Sequence, residues 1–467
     1  MPLTSGHGSD LPTAEAAERT AEPAPATARP ARRSSLALHL AVIGIVLMGL
    51  NRTRVGGWTV SDIAFLLSAA FIVVDILDGR EGRLAPKMAR RASPPVLLGS
   101  ILLLTAGTLS AFQSWNAAES MTIVLRFGWI TLGFFWVLRS VAADRAGLDK
   151  LLAAWRIMIL FNCLIAITGQ LDITNFGVEN AEGRQTAFFE QPNELAGLIA
   201  TGLPLFLLGV PRRRTYRTDG RDLLSRAWPT AIVLYAIATT GSMTGLIAGA
   251  ATVLAMLAAG GWRHIRRPGR AWTSPLLPMV VGFLSIVGLV ALFNSDLPVV
   301  ERFTRYTSGD AAVNYSVDSR EERNSQVIQR FDESLVVGQG FGSYNPDDPG
   351  ASDAAGAHNM FFRFIFQAGL PGLLGVLVIL LFTLQHGIRL LVNTRGDPLQ
   401  PTAVALLAVF IGANTFAMFQ PTEYQRYYWV TAAMIGVLWS VRRTEVREQA
   451  ADRQAEIDAI RRLPARR

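Results

Sequence analysis

The stretch "GAHNMFFRFIFQAG", residues 356 to 369, runs from a polar entry, His358 and Asn359, into an apolar segment that still carries Arg363 and Gln367. At helical spacing Asn359, Arg363 and Gln367 form a stripe of i,i+4 steps, while Phe361, Phe362, Phe364, Ile365 and Phe366 cover the remaining surface. That pattern predicts a helix entering a membrane with its polar stripe turned toward protein or water. Gly369 and the Leu370-Pro371-Gly372 sequence then break or kink the helix, leaving a half-helix at one surface with His358 at its mouth.

The rest of the chain agrees. Half of its 467 residues are hydrophobic and only 17% are charged, with mean hydropathy +0.30, the composition of an integral membrane protein. Apolar runs of roughly 15 to 22 residues, enough to cross a hydrocarbon core of about 30 Å, begin near Ser35, Trp58, Val96, Met121, Leu151, Asn193, Trp228, Met243, Leu276, His358, Thr402 and Tyr424. The expected fold class is therefore an all-α polytopic membrane protein with about twelve transmembrane helices.

Lys and Arg crowd into alternate loops, among them "DGREGRLAPKMARRA", "PRRRTYRTDGRDLLSRA" and "RHIRRPGR", and are sparse in the intervening ones. The positive-inside bias then places both termini in the cytoplasm. Residues 1–34 should be a disordered cytoplasmic tail, 35–441 the transmembrane domain, and 442–467 a basic cytoplasmic tail. The net charge of +8 thus reports orientation rather than a nucleic-acid partner. Cys163, alone in an apolar run, excludes an intramolecular disulfide. The polar stretch before Leu36 is too long for a cleaved signal peptide.

One external loop dominates, about 294–357, between the ninth and tenth spans. Inside it "SREERNSQVIQRFDESLVVG" places Val327, Ile328, Phe331 and Leu335 at helical spacing, predicting an amphipathic helix that rests on the membrane domain. "GQGFGSYNPDDPG" follows as a tight, irregular turn leading to His358.

Arginines mark the candidate chemistry. Arg320 and Arg323, three apart, share a helical face, which reads either as a solvated charged face or as an anion site. Arg126 and Arg363 each lie six residues inside a span, toward the outer surface; they either snorkel outward or line an external site. Arg156, toward the cytoplasm, reads as a snorkelling residue. With Arg184 from another external loop, several guanidiniums can converge on one anionic group. "FFEQPNELAGLI" adds Glu190, Asn193 and Glu194 at an external helix start opened by Pro192, where capping alone explains them or they form part of the same site. The chain contains no GxxxxGK[ST], HExxH, CxxC or GxSxG motif, and "DDPGASD" lacks EF-hand spacing.

Three segments in order resemble the O-antigen ligase and polymerase superfamily: "FFEQPNELAGLI", "TTGSMTGLIAG", and "SREERNSQVIQRFDESLVVGQGFGSY" followed by "AHNMFFRFIFQAGLPGLLG". Met243 stands where many members have arginine, and Asn324 where many have tryptophan. The resemblance implies a membrane glycosyltransferase of the cytoplasmic (inner) membrane working at its outer face. Its donor would be a polyprenyl-diphosphate-linked glycan and its acceptor a glycan or lipid hydroxyl.

On that reading Arg320 would be catalytic with His358 as general base. Arg323, Arg126, Arg363, Asn359, Arg184, Asn193 and Glu190 would bind substrate. Bidentate guanidiniums suit phosphate oxygens, so the reaction would need neither metal nor cofactor. Membrane lipids are the remaining partners. The rivals are a transporter or flippase of the same lipid-linked glycan, and a non-catalytic scaffold of envelope assembly.

Overall fold

The computed structural model describes residues 34–52, 54–55, 58–77, 94–142, 144–171, 183–208, 220–265, 298–309, 311–342, 347, 349–395 and 397–462. In chain order the helices are α1 (Ser34–Leu47), α2 (Val60–Leu77), α3 (Pro94–Ala111), α4 (Ala117–Gly128), α5 (Phe134–Val141), α6 (Arg145–Gln170), α7 (Pro192–Leu207), α8 (Gly220–Thr239) and α9 (Met243–Ile265). Then come α10 (Pro298–Thr307), α11 (Ala311–Gln329), α12 (Phe331–Ser334), α13 (Pro349–Ala355), α14 (Met360–Asn393), α15 (Gln400–Ala417) and α16 (Arg426–Arg462). A π-helical turn, Trp129–Gly133, joins α4 to α5. A short antiparallel pair joins Arg54–Val55 with Trp58–Thr59.

Every apolar run read from the sequence falls on a helix, apart from the one beginning near Leu276, which lies outside the described residues. Residues 1–33, 78–93, 209–219 and 266–297 lie outside them. Six described helices are long and apolar enough to cross a membrane by length and composition: Val60–Leu77, Ala117–Val141, Arg145–Gln170, Met243–Gly260, Met360–Asn393 and Gln400–Ala417. Leu66, Leu67, Phe71, Leu98, Ile101 and Leu381 remain exposed on them or on α3, as a lipid-facing surface requires.

Inside the bundle α14 packs along α3 at glycines. A methyl on Gly99 would meet the Gly375 carbonyl at 2.6 Å, and one on Gly375 would meet that of Gly99 at the same distance. Small residues let the two backbones approach, the usual basis of helix association where lipid offers no hydrophobic drive. Arg156 does more than snorkel: its guanidinium donates to the Leu205 carbonyl in the last turn of α7 and lies 6.0 Å from the Phe206 ring. The end of α7 has carbonyls without helical donors, which a guanidinium can satisfy.

The expected break in the tenth span is at Gly369, with φ 67° and ψ −177°, a left-handed φ that only glycine adopts without strain. It frees two carbonyls. Pro371 has no N–H for Gln367, and the Leu370 N–H turns away to the Leu335 carbonyl at 2.7 Å. The preceding loop fills both vacancies: Gln339 N–H donates to the Phe366 carbonyl at 2.7 Å and Gly340 N–H to that of Gln367 at 2.9 Å. Gly338, φ 78°, lies so close that a methyl there would stand 2.5 Å from the Gly369 nitrogen. Irregular backbone is tolerated in a membrane bundle where protein completes its hydrogen bonds.

Phe341 anchors this loop. Its ring is buried between Phe127 (centroids 4.8 Å) and Phe364 (6.3 Å), and its N–H donates to Ser120 Oγ of α4 at 2.8 Å. Replacing Ser120 by alanine leaves that buried N–H without a partner. We expect a loss of about 1–3 kcal/mol, read as a lowered thermal midpoint in detergent.

The amphipathic helix expected from the sequence forms as α11, but its buried face is narrower than the predicted stripe. Val327 is fully buried against Ala354, Ala357 and Phe366, and Phe331 and Phe362 flank it, whereas Ile328 and Leu335 are exposed. The helix ends at Gln329 and α12 begins at Phe331, so Leu335 leaves the common face and offers its carbonyl to Leu370 instead.

Candidate functional site

His358 is held by its neighbours on both sides. Its N–H donates to Asn324 Oδ1 of α11 at 3.2 Å. Asn359 is the N-cap of α14, its Oδ1 accepting from the N–H groups of Phe361 (2.9 Å) and Phe362 (3.3 Å). Capping satisfies two donors of the first helical turn and fixes the chain just where His358 precedes it. The imidazole is half-buried, and Nδ1 has no hydrogen-bond partner among the described residues. Burial, then the cations Arg320, Arg323 and Arg363, push its pKa down to about 4, only partly offset by the Gln420 side chain. The ring is thus neutral at physiological pH and keeps a lone pair.

Three of the arginines picked out in the sequence therefore surround one imidazole, each in a different state. Arg323 Nε lies 3.8 Å from Asp353 Oδ1, a solvent-exposed pair of little energetic weight. Arg363 has a deep partner: its Nη1 is 2.8 Å from Glu423 Oε1, with Glu423 0% and Arg363 16% exposed. Burial raises the Glu423 pKa, opposed by the Arg363 charge. Arg320 has no hydrogen-bonded or ion-paired acceptor among the described residues. Burial and the neighbouring Arg302 lower its pKa, the signature of a cation short of counter-charge.

Of the stripe, Arg363 and Gln367 face the α15–α16 connection, residues 418–425, while Asn359 caps the helix. Besides Glu423, the Tyr424 ring lies 5.6 Å from the Arg363 guanidinium, and its hydroxyl donates to Gln367 Oε1 at 3.4 Å. Arg126 adjoins them. Its charge acts on Tyr424 together with that of Arg363, its Nε is buried without a hydrogen-bond partner, and the next ring, Phe127, packs 5.3 Å from Tyr424. The π-helical turn follows at once, a local irregularity often found beside functional sites.

Arg184, Asn193 and Glu190 form a second group. Arg184 is buried, donating from Nε to the Thr240 carbonyl at 2.7 Å and from Nη2 to Asn193 Oδ1 at 2.8 Å. It thereby caps the end of α8 and ties it to the start of α7. Glu190 is exposed; its N–H donates to Glu194 Oε2 at 3.3 Å and its carbonyl accepts from Arg52. The α15–α16 connection links the two groups, since Gln425 Nε2 donates to Glu194 Oε1 at 2.7 Å while Glu423 pairs with Arg363.

Sequence reasoning passed over Gln420, Glu423 and Tyr424. Their signal was present in "QPTEYQR", a short connection between two late spans containing a carboxylate that has no water to face. Among the described residues no three His, Cys, Asp or Glu side chains group in a way that could hold a metal ion.

Residues 228–377 match the family model for O-antigen ligase. The resemblance to the O-antigen ligase and polymerase superfamily holds. The matched stretch runs from α8 into α14, about a third of the chain, and contains Arg320, Arg323, His358, Asn359 and Arg363. Arg126, Arg184, Glu190 and Asn193 lie before it. No curated protein matches the chain. At the level of the family, an O-antigen ligase domain speaks for glycan transfer, here on a chain with several membrane-spanning helices.

Proposed function

We propose that this O-antigen ligase-like chain transfers a glycan from a polyprenyl diphosphate carrier to an acceptor hydroxyl at the outer face of the cytoplasmic membrane. The topology that goes with this reading has about twelve spans, cytoplasmic termini and the 294–357 loop outside. The observation that carries it is the state of the charges around His358: a neutral imidazole on which Arg320 acts, a half-buried cation with no acceptor among the described residues.

The acceptor oxygen attacks the anomeric carbon, the bond from that carbon to the diphosphate oxygen breaks, and the diphosphate leaves on the carrier. His358 takes the acceptor proton. Arg320 and Arg323, with Arg126 from the Tyr424 side, receive the charge that grows on the leaving diphosphate, and Arg363 contributes what Glu423 leaves uncompensated. Arg184, Asn193 and Glu190 shape the adjoining wall. Guanidiniums bind phosphate oxygens in pairs, so the leaving group is stabilised without a metal ion.

The test is transfer from a purified lipid-linked oligosaccharide. Arg320→Ala is expected to lower turnover about 10²- to 10³-fold, while its thermal midpoint without donor stays level or rises, because a half-buried cation with no acceptor among the described residues has been removed. The unsubstituted protein should retain full activity in excess chelator. Unchanged turnover in Arg320→Ala would overturn the diphosphate assignment. Movement of the lipid across a bilayer without a new glycosidic bond would favour the flippase instead.

A further inference from the structure

The turn that seats the break in α14 also has an outward face, and that face is apolar. Val336 is 74% and Leu335 40% exposed. Leu370, whose N–H donates to the Leu335 carbonyl, and Leu374, one turn further along α14, are exposed as well.

The level of this turn along the bundle follows from α3. That helix is apolar from Pro95 to Ala111, and its 18 residues span about 27 Å, close to the roughly 30 Å of a hydrocarbon core. Its C-terminal end therefore marks one edge of the core. Phe112 and Trp115 follow there, both exposed, and tryptophan is enriched at the membrane–water boundary. The turn packs on the last turns of the same helix. The Phe341 ring lies against Gly107, where an added methyl would stand 2.8 Å from it, and Gly340 has no room for a side chain beside Ser110 and Ser114. Gly107 is four residues, about 6 Å, inside the end of α3. The 335–341 segment thus lies at or within the edge of the core, although the sequence assigns it to the 294–357 loop.

Its hydrogen bonds suit that level, because backbone that meets lipid must find its partners in protein. The amides of Leu335, Gln339 and Gly340 donate to the Phe331, Phe366 and Gln367 carbonyls, and that of Phe341 to Ser120 Oγ. The apolar face also continues the lipid-facing surface of Leu98, Ile101 and Leu109 on α3 and of Leu381 on α14. That continuity favours lipid over a second protein as its cover.

We propose that residues 335–341 form a re-entrant turn seated in the bilayer, with Leu335 and Val336 against acyl chains and Phe112 and Trp115 at the interfacial level beside them. The turn ties the Gly369 break, and with it the half-helix that follows His358, to the surface of one leaflet.

The experiment is spin labelling of the full chain in vesicles of phosphatidylcholine and phosphatidylglycerol. Cys163, the sole cysteine, is buried, so the unsubstituted protein should take no label. Labels at Val336→Cys, Phe112→Cys, Leu381→Cys and Glu322→Cys, all exposed positions, are relaxed either by oxygen, which partitions into the bilayer, or by a nickel chelate, which stays in water. Positions 336 and 112 should resemble 381, with oxygen the stronger relaxant, and position 322 should show the reverse order. Relaxation at 336 dominated by nickel, as at 322, would put the turn in water and overturn the proposal. So would weak relaxation by both agents at 336 and 112, which would mean a protein cover such as a second copy.

Discussion

Replacing His358 by alanine is expected to slow glycan transfer by about 10²- to 10⁴-fold and to leave the fold intact. The side chain contributes little to the scaffold: Nδ1 has no partner among the described residues, the contact with the Gln420 side chain is a single hydrogen bond, and the bond to Asn324 comes from the backbone N–H, which alanine keeps. The pH dependence should separate two states of the same group. In the free protein burial and the arginines hold the imidazole down to about 4, so the acid limb of kcat/KM belongs near that value. A bound diphosphate neutralises those cations and raises the imidazole toward its ordinary value, so the acid limb of kcat should lie at higher pH. Folding follows the same sign: with the folded pKa below the unfolded 6.5, the contribution of this group is complete above pH 6.5 and fades as pH falls through about 4. Turnover within a factor of ten of the unsubstituted protein in His358→Ala would remove the residue from the reaction.

Arg363→Ala should behave differently, as a loss of stability. It strands the Glu423 carboxylate, 0% exposed, without its charge partner. Breaking one side of a buried pair costs about 3–5 kcal/mol, visible as a large drop in the thermal midpoint. Adding Glu423→Gln should recover much of it, since a neutral amide has no charge to bury. The contrast with Arg320→Ala is the informative part: one arginine is held by the protein, and the other awaits a ligand. A normal midpoint in Arg363→Ala, together with a hundredfold loss of transfer, would assign Arg363 to the donor instead of to Glu423.

Helix positions were legible because a membrane imposes simple constraints: apolar runs of sufficient length, and a Gly-Leu-Pro-Gly sequence that no helix carries through unbroken. The stripe Asn359, Arg363, Gln367 gave the inward face of α14 for the same reason. Its partners were not legible, since helical periodicity identifies a face and says nothing of what lies opposite. Glu423 and Tyr424 come from a loop some sixty residues away. Arg184 illustrates the other limit. From sequence it counts as one more external cation, yet it closes the end of α8 through the Thr240 carbonyl, a bond that tertiary packing alone decides. Leu335 was assigned to the buried stripe because spacing assumes one continuous helix, and the break between Gln329 and Phe331 ends that continuity; Ile328, before the break, lies outside the narrow face that buries Val327.

The interlock of Gly338 with Gly369 also sets an order of events during synthesis. The Leu335 carbonyl and the Gln339 and Gly340 amides leave the ribosome before Leu370, Phe366 and Gln367 exist, so these three bonds wait until α14 follows them out. The Ser120 hydroxyl that receives Phe341 is already in place with α4. The turn can thus dock on the finished N-terminal helices first and then present a template on which the arriving helix breaks at its glycine. A nascent chain halted before residue 366 would carry the turn with these three hydrogen bonds unmade and the half-helix behind His358 still incomplete.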